Sequence, residues 1–588
     1  MADAQEDAYL AAEPTATASI RRWAQAAEIV GGLYLVSRAA FTLDGAAWTT
    51  SLLLLVAEGL GLVVFSLRVR SAWHAPADVL DMPDAPTPSA IAVIDADGAT
   101  PEHVRTSLVS CARLRGLERV VVSDPEGRSA VRSVAERFSA RIDHAPATSV
   151  VANSSAAWVL LVRAGDLPLP DALELLATPC SSPDTGVIQL GVEEADPSSF
   201  EHDPSGRWSL GPFEQQVVRP SLAASGSIPW YGDVPAMVRP AAIRDAADTS
   251  APTVDLGVYA ASIGYRVTMA PRTLARLRGP QSLGESLCRR FEHTAAVRRR
   301  AMTRLGDVPV SLRRALWVAL VEPLAAVQRV LLVLVAILVL GMGRSPVDAA
   351  LMPLALVALP AYGLRWHAQS LVGRGRLGRF SVLRSELRSI GVDLAFGSRR
   401  MWAVTGGGLR LLGILMAAVA AAVGVGTIAL WQDSAQRLPV GVAAVALATT
   451  AGFSIVAAEV LLEAIGRRQQ RSDHRVRLGL VTCRLDEHEG QLADLSLGGC
   501  GVTVVGDRRG LPGLGDGAVV SFRIPDAGGA WRDVRVGGRI AHVATITETE
   551  HRIGVAFAEP LAESLDPVIE FLTIDRRLVA LGRRVPSA

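Results

Sequence analysis

From Leu411 to Trp431 the chain reads LLGILMAAVAAAVGVGTIALW, with no charged residue and no proline. Such a run leaves few choices. In hydrocarbon every backbone N–H and C=O must be satisfied within its own segment, so about 20 consecutive apolar residues read as a spanning helix. Segments 24–43, 47–67, roughly 324–343, 347–364 and 438–465 also have the length and composition to cross. Segment 24–43 carries Glu28 and Arg38, and a helix lying along the bilayer surface is the other reading of it. The 588 residues are 50% hydrophobic yet 20% charged, so the apolar residues are gathered in blocks that leave room for soluble domains.

Arginine placement orients the spans, because basic loops stay on the cytoplasmic side. Arg21 and Arg22 precede the first span, and Arg68 and Arg70 follow the second. The loop after the fourth holds Arg374, Arg376, Arg379, Arg384, Arg399 and Arg400. With six spans, the N-terminus, the block 71–310, that loop and the C-terminus all face the cytoplasm. The acidic start MADAQEDAYLAAEP is no secretory signal and reads as a disordered tail over 1–23. Cys111, Cys180, Cys288, Cys483 and Cys500 form no CxxC pair, which fits a reducing compartment and neither a disulfide framework nor a zinc site. Charges nearly cancel, 59 basic against 58 acidic, so overall charge says nothing about partners, and no nucleic acid polymer is expected among them.

Between 71 and 310 the pattern changes. After a Pro/Ala-rich linker, the apolar runs AIAVIDA, ERVVVSD, ARID, AAWVLLVRA and GVIQLGV alternate with the helical TPEHVRTSLVSCARL, GRSAVRSVAERF and LPDALELLATPC. This predicts an α/β domain with a mostly parallel sheet covered on both faces. Such sheets bind ligands at the carboxyl ends of their strands, which points to Asp97, Ser123–Asp124 and Arg163–Asp166.

The order of parts, together with several motifs, resembles a bacterial cellulose synthase catalytic subunit. LLVRAGDLPLPDAL stands where that family has a strand ending in Asp-x-Asp, and DLGVYAASIGYRV matches the stretch after its Thr-Glu-Asp. GPQSLGESLCRRFEH sits where Gln-x-x-Arg-Trp belongs, and MWAVTGGG resembles the gating-loop segment. The resemblance implies a multi-span α-helical protein of the bacterial inner membrane. Its cytoplasmic α/β domain is of the GT-A, family-two glycosyltransferase type, and an all-β PilZ barrel closes the chain. The implied parts are two spans over 24–70, the transferase domain over 71–310, four spans over 311–465 with a gating-like loop at 365–408, and the barrel over 466–588.

The family's chemistry does not carry over residue by residue. Asp-x-Asp aligns with Arg163-Ala164-Gly165, the earlier Asp-Asp with Ser123-Asp124, and Thr-Glu-Asp with Ala251-Pro252-Thr253. Gln-x-x-Arg-Trp falls on Arg289, Glu292 and His293. The gating segment keeps Trp402, Val404 and Thr405 but has Gly407 in place of lysine. A degenerate domain is the implied state. The other reading is a rearranged site using Asp97, Asp124, Asp166 and Asp255 with Mg or Mn, or with Arg163 clamping a diphosphate. Against it, Asp166 before Leu-Pro also suits a helix start, and Asp255 a solvated charge.

Beyond the last span, GRRQQRSDHRVRLGL packs five arginines between Arg467 and Arg477, in a chain without a lysine. Arg467 and Arg468 suit a membrane anchor. Arg471 and Arg475 form Arg-x-x-x-Arg, and Asp494 to Gly499, DLSLGG, follows nineteen residues after Arg475. The two motifs in this order resemble the PilZ domain that binds cyclic di-GMP. Guanidiniums pair bidentately with phosphate and stack on bases. Asp494 and Ser496 offer an acceptor and a hydroxyl to a guanine edge, and Gly498 or Gly499 permits close approach. Downstream, GAVVSFRI, DVRVGGRIAHVAT and HRIGVAFA alternate like barrel strands, and LDPVIEFLTIDRRLVAL reads as a closing helix. The expected partners are the bilayer, cyclic di-GMP, and an active polysaccharide synthase or another cell-envelope subunit. The rival expectation is an active processive transferase that makes an exopolysaccharide from a UDP-sugar.

Overall fold

The computed structural model describes residues 14–74, 86–194, 210–246, 248–277, 297–300, 308–318, 320–342, 345–348, 351–373, 475–496, 498–506, 510–525, 530–547, 549–558 and 563–573, with isolated positions elsewhere between 306 and 458. The apolar segment 409–431, most of 438–465, Arg471, and Trp402, Val404 and Thr405 lie outside the described residues. The chain divides into two compact units. One comprises 1–77, 198–229 and 280–468; the other comprises 78–197, 230–279 and 469–588.

The first unit is helical. Helix α1 is Pro14–Phe41 and α2 is Trp48–Ala72. Among the described residues, Gly45–Ala72 and Leu312–Leu340 are long and apolar enough to cross a membrane. The charges that set segment 24–43 apart are paired. Glu28 accepts from Arg70 Nε at 2.8 Å and Arg70 Nη2 at 2.6 Å. Glu58 on α2 takes the buried Arg38 Nε at 3.2 Å and the Tyr34 hydroxyl at 2.7 Å. Segment 24–43 is thus helical as far as Phe41, with its two charges turned onto the neighbouring helix. The helical residues 210–225 group with this unit although they lie within 71–310 in sequence.

The second unit holds a sheet and a barrel. Strands β1 (Ala90–Asp95), β2 (Leu117–Ser123), β3 (Arg141–Asp143) and β4 (Trp158–Arg163) run parallel, each at its expected place. Helices α3 (Pro101–Cys111), α4 (Ser129–Arg137) and α5 (Ala147–Ala152) connect them. The full order is β3-β2-β1-β4-β7-β6-β8-β5, adding β5 (Leu167–Pro168), β6 (Thr185–Glu194), β7 (Ala236–Val238) and β8 (Arg266–Leu277). Here the sheet departs from the expected pattern. Strand β7 lies antiparallel to both β4 and β6, and β5 antiparallel to β8, so the sheet is mixed beyond β4. The core reaches from Ile94 and Leu108 to Leu160 and Met237, all fully buried.

Strands β9 (Arg475–Leu485), β10 (His488–Ser496), β11 (Gly499–Val505), β12 (Gly517–Pro525), β13 (Trp531–Thr545) and β14 (Glu550–Phe557) close into a barrel in the order β10-β11-β14-β13-β12-β9. Closure removes the unpaired edges that a small sheet would otherwise expose. Alternation along β12 and β14 turns Val520, Phe522, Ile553 and Val555 inward. Helix α10, Asp566–Thr573, covers the barrel with Val568 and Phe571. Cys111, Cys180, Cys483 and Cys500 are buried, and burial pushes the first three thiols up to about 12, out of reach of thiolate chemistry near neutral pH.

Candidate functional site

At the carboxyl ends of β1 and β4 lies a cavity of about 310 Å³. Asp95, Asp97, Thr148, Arg163, Trp230 and Thr253 are among its walls. Asp95 and Arg163 are register partners at the ends of adjacent parallel strands, so an acid and a guanidinium-bearing residue share the strand tops. Thr253 donates to the Trp230 carbonyl at 3.0 Å, and the Tyr231 N–H donates to Gln189 Oε1 at 2.8 Å, which together fix the 230–232 wall.

Of the acids expected at the sheet top, Asp97 lines this cavity, while Asp124, Asp166 and Asp255 do not. Asp124 is buried and already engaged by its own chain. Arg128 Nε and Nη2 donate to its Oδ1 at 3.0 and 2.9 Å, and the Arg128 N–H donates to Oδ2 at 2.7 Å. The same guanidinium also donates to the carbonyls of Ala96 and Ala99, which bridges the ends of β1 and β2. Asp166 is buried in the turn after β4, and its carbonyl accepts from Ser107 Oγ at 2.8 Å. Asp255 sits in the first turn of α6, Thr253–Ser262, where a carboxylate favours the helix N-terminus.

The turn explains why a metal pair is missing. Gly165 has φ +102, a conformation that side-chain-bearing residues rarely adopt, and its N–H donates to Ser107 Oγ at 2.9 Å. An aspartate there would be strained whatever space surrounds it. Gly165→Asp is therefore expected to lower stability by about 1–2 kcal/mol, read as a fall in melting temperature, rather than to restore a metal ligand. Among the described residues no three carboxylate, histidine or cysteine side chains converge on a cation position, and Arg163 stands opposite Asp95.

Asp95 was not among the acids that motif spacing singled out, although AVIDADG places an Asp-x-Asp at the end of β1. Burial lifts its carboxyl above the ordinary value of 3.8, and the neighbouring Asp97 carboxylate adds to the lift while Arg163 opposes it. The sign follows directly. Ionising Asp95 costs more in the folded chain than in the unfolded one, so the folded state pays this cost once pH exceeds the raised value and escapes it below 3.8. Asp95→Asn should raise the melting temperature at pH 7 and lose that advantage as pH falls toward 4, as scanning fluorimetry across pH would show.

In the barrel, antiparallel register sets Arg475 opposite Ser496 and Arg477 opposite Asp494. The second arginine of the Arg-x-x-x-Arg motif thus shares one end of β9 and β10 with the Asp-x-Ser motif. Asp494 is buried and accepts from Arg552 Nη2 at 2.7 Å. Ser496 Oγ donates to the Gly499 carbonyl at 2.8 Å. A Cβ on Gly499 would lie 2.2 Å from the Val555 carbonyl oxygen, and one on Gly501 would lie 2.8 Å from Asp494 Oδ2. Both positions need glycine for close approach. Arg552 and Gly501 carry no motif, and only strand pairing brings them to Asp494.

Helix α3 links the turn after β4 to helix α10, which covers the barrel. Its residues Val104 through Cys111 are all buried. On one side Ser107 holds the 163–166 turn, and Ser110 Oγ donates to the Pro168 carbonyl at 2.7 Å. On the other side Arg105 pairs with Asp566 of α10 at 2.5 Å, and Arg113, just past α3, pairs with Glu570 of α10. Arg137 of α4 reaches the second oxygen of Asp566 at 3.0 Å.

No family model and no curated protein matches the chain. Among solved structures it is similar to the mannosyltransferase PcManGT from Pyrobaculum calidifontis, in complex with GDP-Man and Mn2+. That match has 15% identity over 55% of this chain and 97% of the other, with a TM-score of 0.38. It is also similar to residues 1–349 of S. aureus TarS, at 12% identity over 52% and 89% of the two chains and a TM-score of 0.25. The Bacillus subtilis inhibitor of motility MotI/DgrA matches at 16% identity over 19% of this chain and 53% of its own, with a TM-score of 0.16. These scores are too low to establish a shared fold.

Proposed function

We propose that the chain is a cyclic di-GMP-responsive protein of the bacterial inner membrane, of the cellulose synthase-like type. In this reading its α/β domain no longer transfers sugar and serves as a regulatory scaffold in exopolysaccharide production. The observation that carries the reading is the Asp124–Arg128 pair. The one carboxylate retained from the family's paired aspartates is buried, and an arginine of the same chain takes both of its oxygens. A nucleotide would have to displace a charge-assisted bond network to reach it.

Cyclic di-GMP would bind at the barrel end where Arg475, Arg477, Asp494 and Ser496 meet by register, with Arg471 supplying the second guanidinium of the motif. Two guanidiniums would take a phosphate and a guanine face, and Asp494 would accept from a guanine edge once Arg552 turns aside. The gating-like loop lies largely outside the described residues, but the α10–α3 junction gives the barrel a described route to the α/β domain. A shift of α10 would pull on α3 and, through Ser107, on the turn beneath Arg163. The reader of that change would be a second subunit, such as an active polysaccharide synthase or another envelope component.

Calorimetric titration of UDP with Mg or Mn into full-length protein saturated with cyclic di-GMP tests the reading. No UDP binding in a sample that takes up cyclic di-GMP supports the scaffold. Metal-dependent UDP binding overturns it in favour of the second reading, an active processive UDP-sugar transferase. That alternative draws its support from the open cavity with Asp95, Asp97 and Arg163 in its wall.

A further inference from the structure

We propose that Arg21, Trp73 and Arg314, gathered around the end of α2, form a binding site for the phosphate group of an anionic lipid. Three arginines meet there from three helices. Arg21 comes from α1, Arg70 from the last turn of α2, and Arg314 from α7, Val310–Val318. The guanidinium carbons of Arg21 and Arg70 lie 5.7 and 5.8 Å from the centre of the Trp73 ring. Arg314 Nη2 donates to the Arg70 carbonyl at 2.7 Å, which brings the third guanidinium to the same helix end.

The cluster is short of negative charge. Among the described residues its bonded carboxylate is Glu28, and Arg70 takes both of its oxygens. Arg21 and Arg314 have no ion pair among the described residues. Among the described residues, the buried Trp73 Nε1 and His74 Nδ1 have no hydrogen-bond partner. A phosphate oxygen would satisfy such donors, since buried polar groups are rarely left unpaired. The local field has the matching sign: burial first, then Arg314 and Arg21, pull the His74 imidazole below its ordinary value of 6.5.

Position selects the source of the phosphate. The cluster stands at the end of Gly45–Ala72, one of the two stretches apolar enough to cross a bilayer. Trp23 and Trp317, on the same helices as Arg21 and Arg314, are 40% and 50% exposed. Exposed tryptophans at a helix end suit the headgroup layer, and basic side chains there attract anionic lipid. The inference rests on the membrane reading of that helix, and the test separates the two.

Full-length protein would be placed in nanodiscs of phosphatidylcholine alone or mixed with phosphatidylglycerol, and bound lipid counted by native mass spectrometry. Wild type should retain phosphatidylglycerol through detergent washing and melt higher in the mixed discs. Each arginine at an anionic surface is worth about a fivefold change. The double variant Arg21→Gln/Arg314→Gln should therefore hold phosphatidylglycerol about 25-fold more weakly, while melting like wild type in phosphatidylcholine. Arg21→Lys/Arg314→Lys should recover most of the retention. Retention unchanged in the glutamine variant overturns the site. A glycerol phosphate shift in phosphatidylcholine discs as large as that of phosphatidylglycerol overturns the lipid as source. Release from membranes by carbonate without detergent would instead sink the membrane reading.

Discussion

Full-length protein carrying Arg471→Ala and Arg475→Ala should bind cyclic di-GMP about 100- to 10,000-fold more weakly than wild type. Each guanidinium lost removes charge-assisted bonds worth about 1.5–3 kcal/mol, and two such losses span that range. Calorimetric titration at fixed salt measures it, with the barrel's melting temperature as control. Arg475 is the cleaner position for the test because it opens β9. Asp494→Ala would confuse binding with folding, since Asp494 is buried and bonded to Arg552. Wild-type affinity in the double arginine variant would remove the barrel from the proposed function altogether.

The second large effect concerns the α10–α3 junction. Asp566→Ala takes the carboxylate from Arg105, which is 2% exposed, and from Arg137 as well. Removing one partner of a buried ion pair costs about 3–5 kcal/mol. Asp566 is itself 29% exposed, and solvent screening brings the expected loss down to about 2–3 kcal/mol. Barrel and α/β domain, which should melt together in the wild type, should separate into two calorimetric transitions. A double-mutant cycle with Arg105→Ala isolates the pair, and a coupling energy near zero would show that the junction carries no signal. Cyclic di-GMP should protect amides of the 163–166 turn from exchange in wild type and leave them unchanged in Asp566→Ala.

Apolar periodicity revealed much of this architecture. β1 to β4 and β12 to β14 fall where the alternating runs place them, because each strand's burial is written in its own residues. Residues 24–41, 48–67, 324–342 and 351–364 are helical as well, although among the described residues only Gly45–Ala72 and Leu312–Leu340 are long and apolar enough to cross a membrane. Glu28 and Arg38 find their partners only through packing against α2. Strand β7 was not legible. Its three residues, AMV, owe their place to the neighbours β4 and β6 rather than to any local pattern.

The site was harder to read for the same reason. Arg128 follows Asp124 by four residues and, in sequence, looks like a helix-start charge; only the fold shows it closing over the carboxylate. Asp95 lay in plain view in AVIDADG, but motif spacing drew attention to later acids that the cavity does not use. In the barrel, by contrast, the register of Arg475 and Ser496 is local, while Arg471 lies outside the described residues. The pairing of β9 with β10 puts Arg475 opposite Ser496 without help from the rest of the chain.

The pairing of Arg105 with Asp566 also has a cost during biosynthesis. The two residues are 461 positions apart, so the ribosome releases the arginine long before its carboxylate. At about 5–20 residues per second, the wait is about 20–90 s. Throughout that time α3 lacks the carboxylate that Asp566 brings to Arg105 and the cover of α10. A ribosome that stalls or stops before residue 566 would leave the nascent α/β domain open to chaperones and proteases, so chain completion itself becomes a quality check on the whole protein.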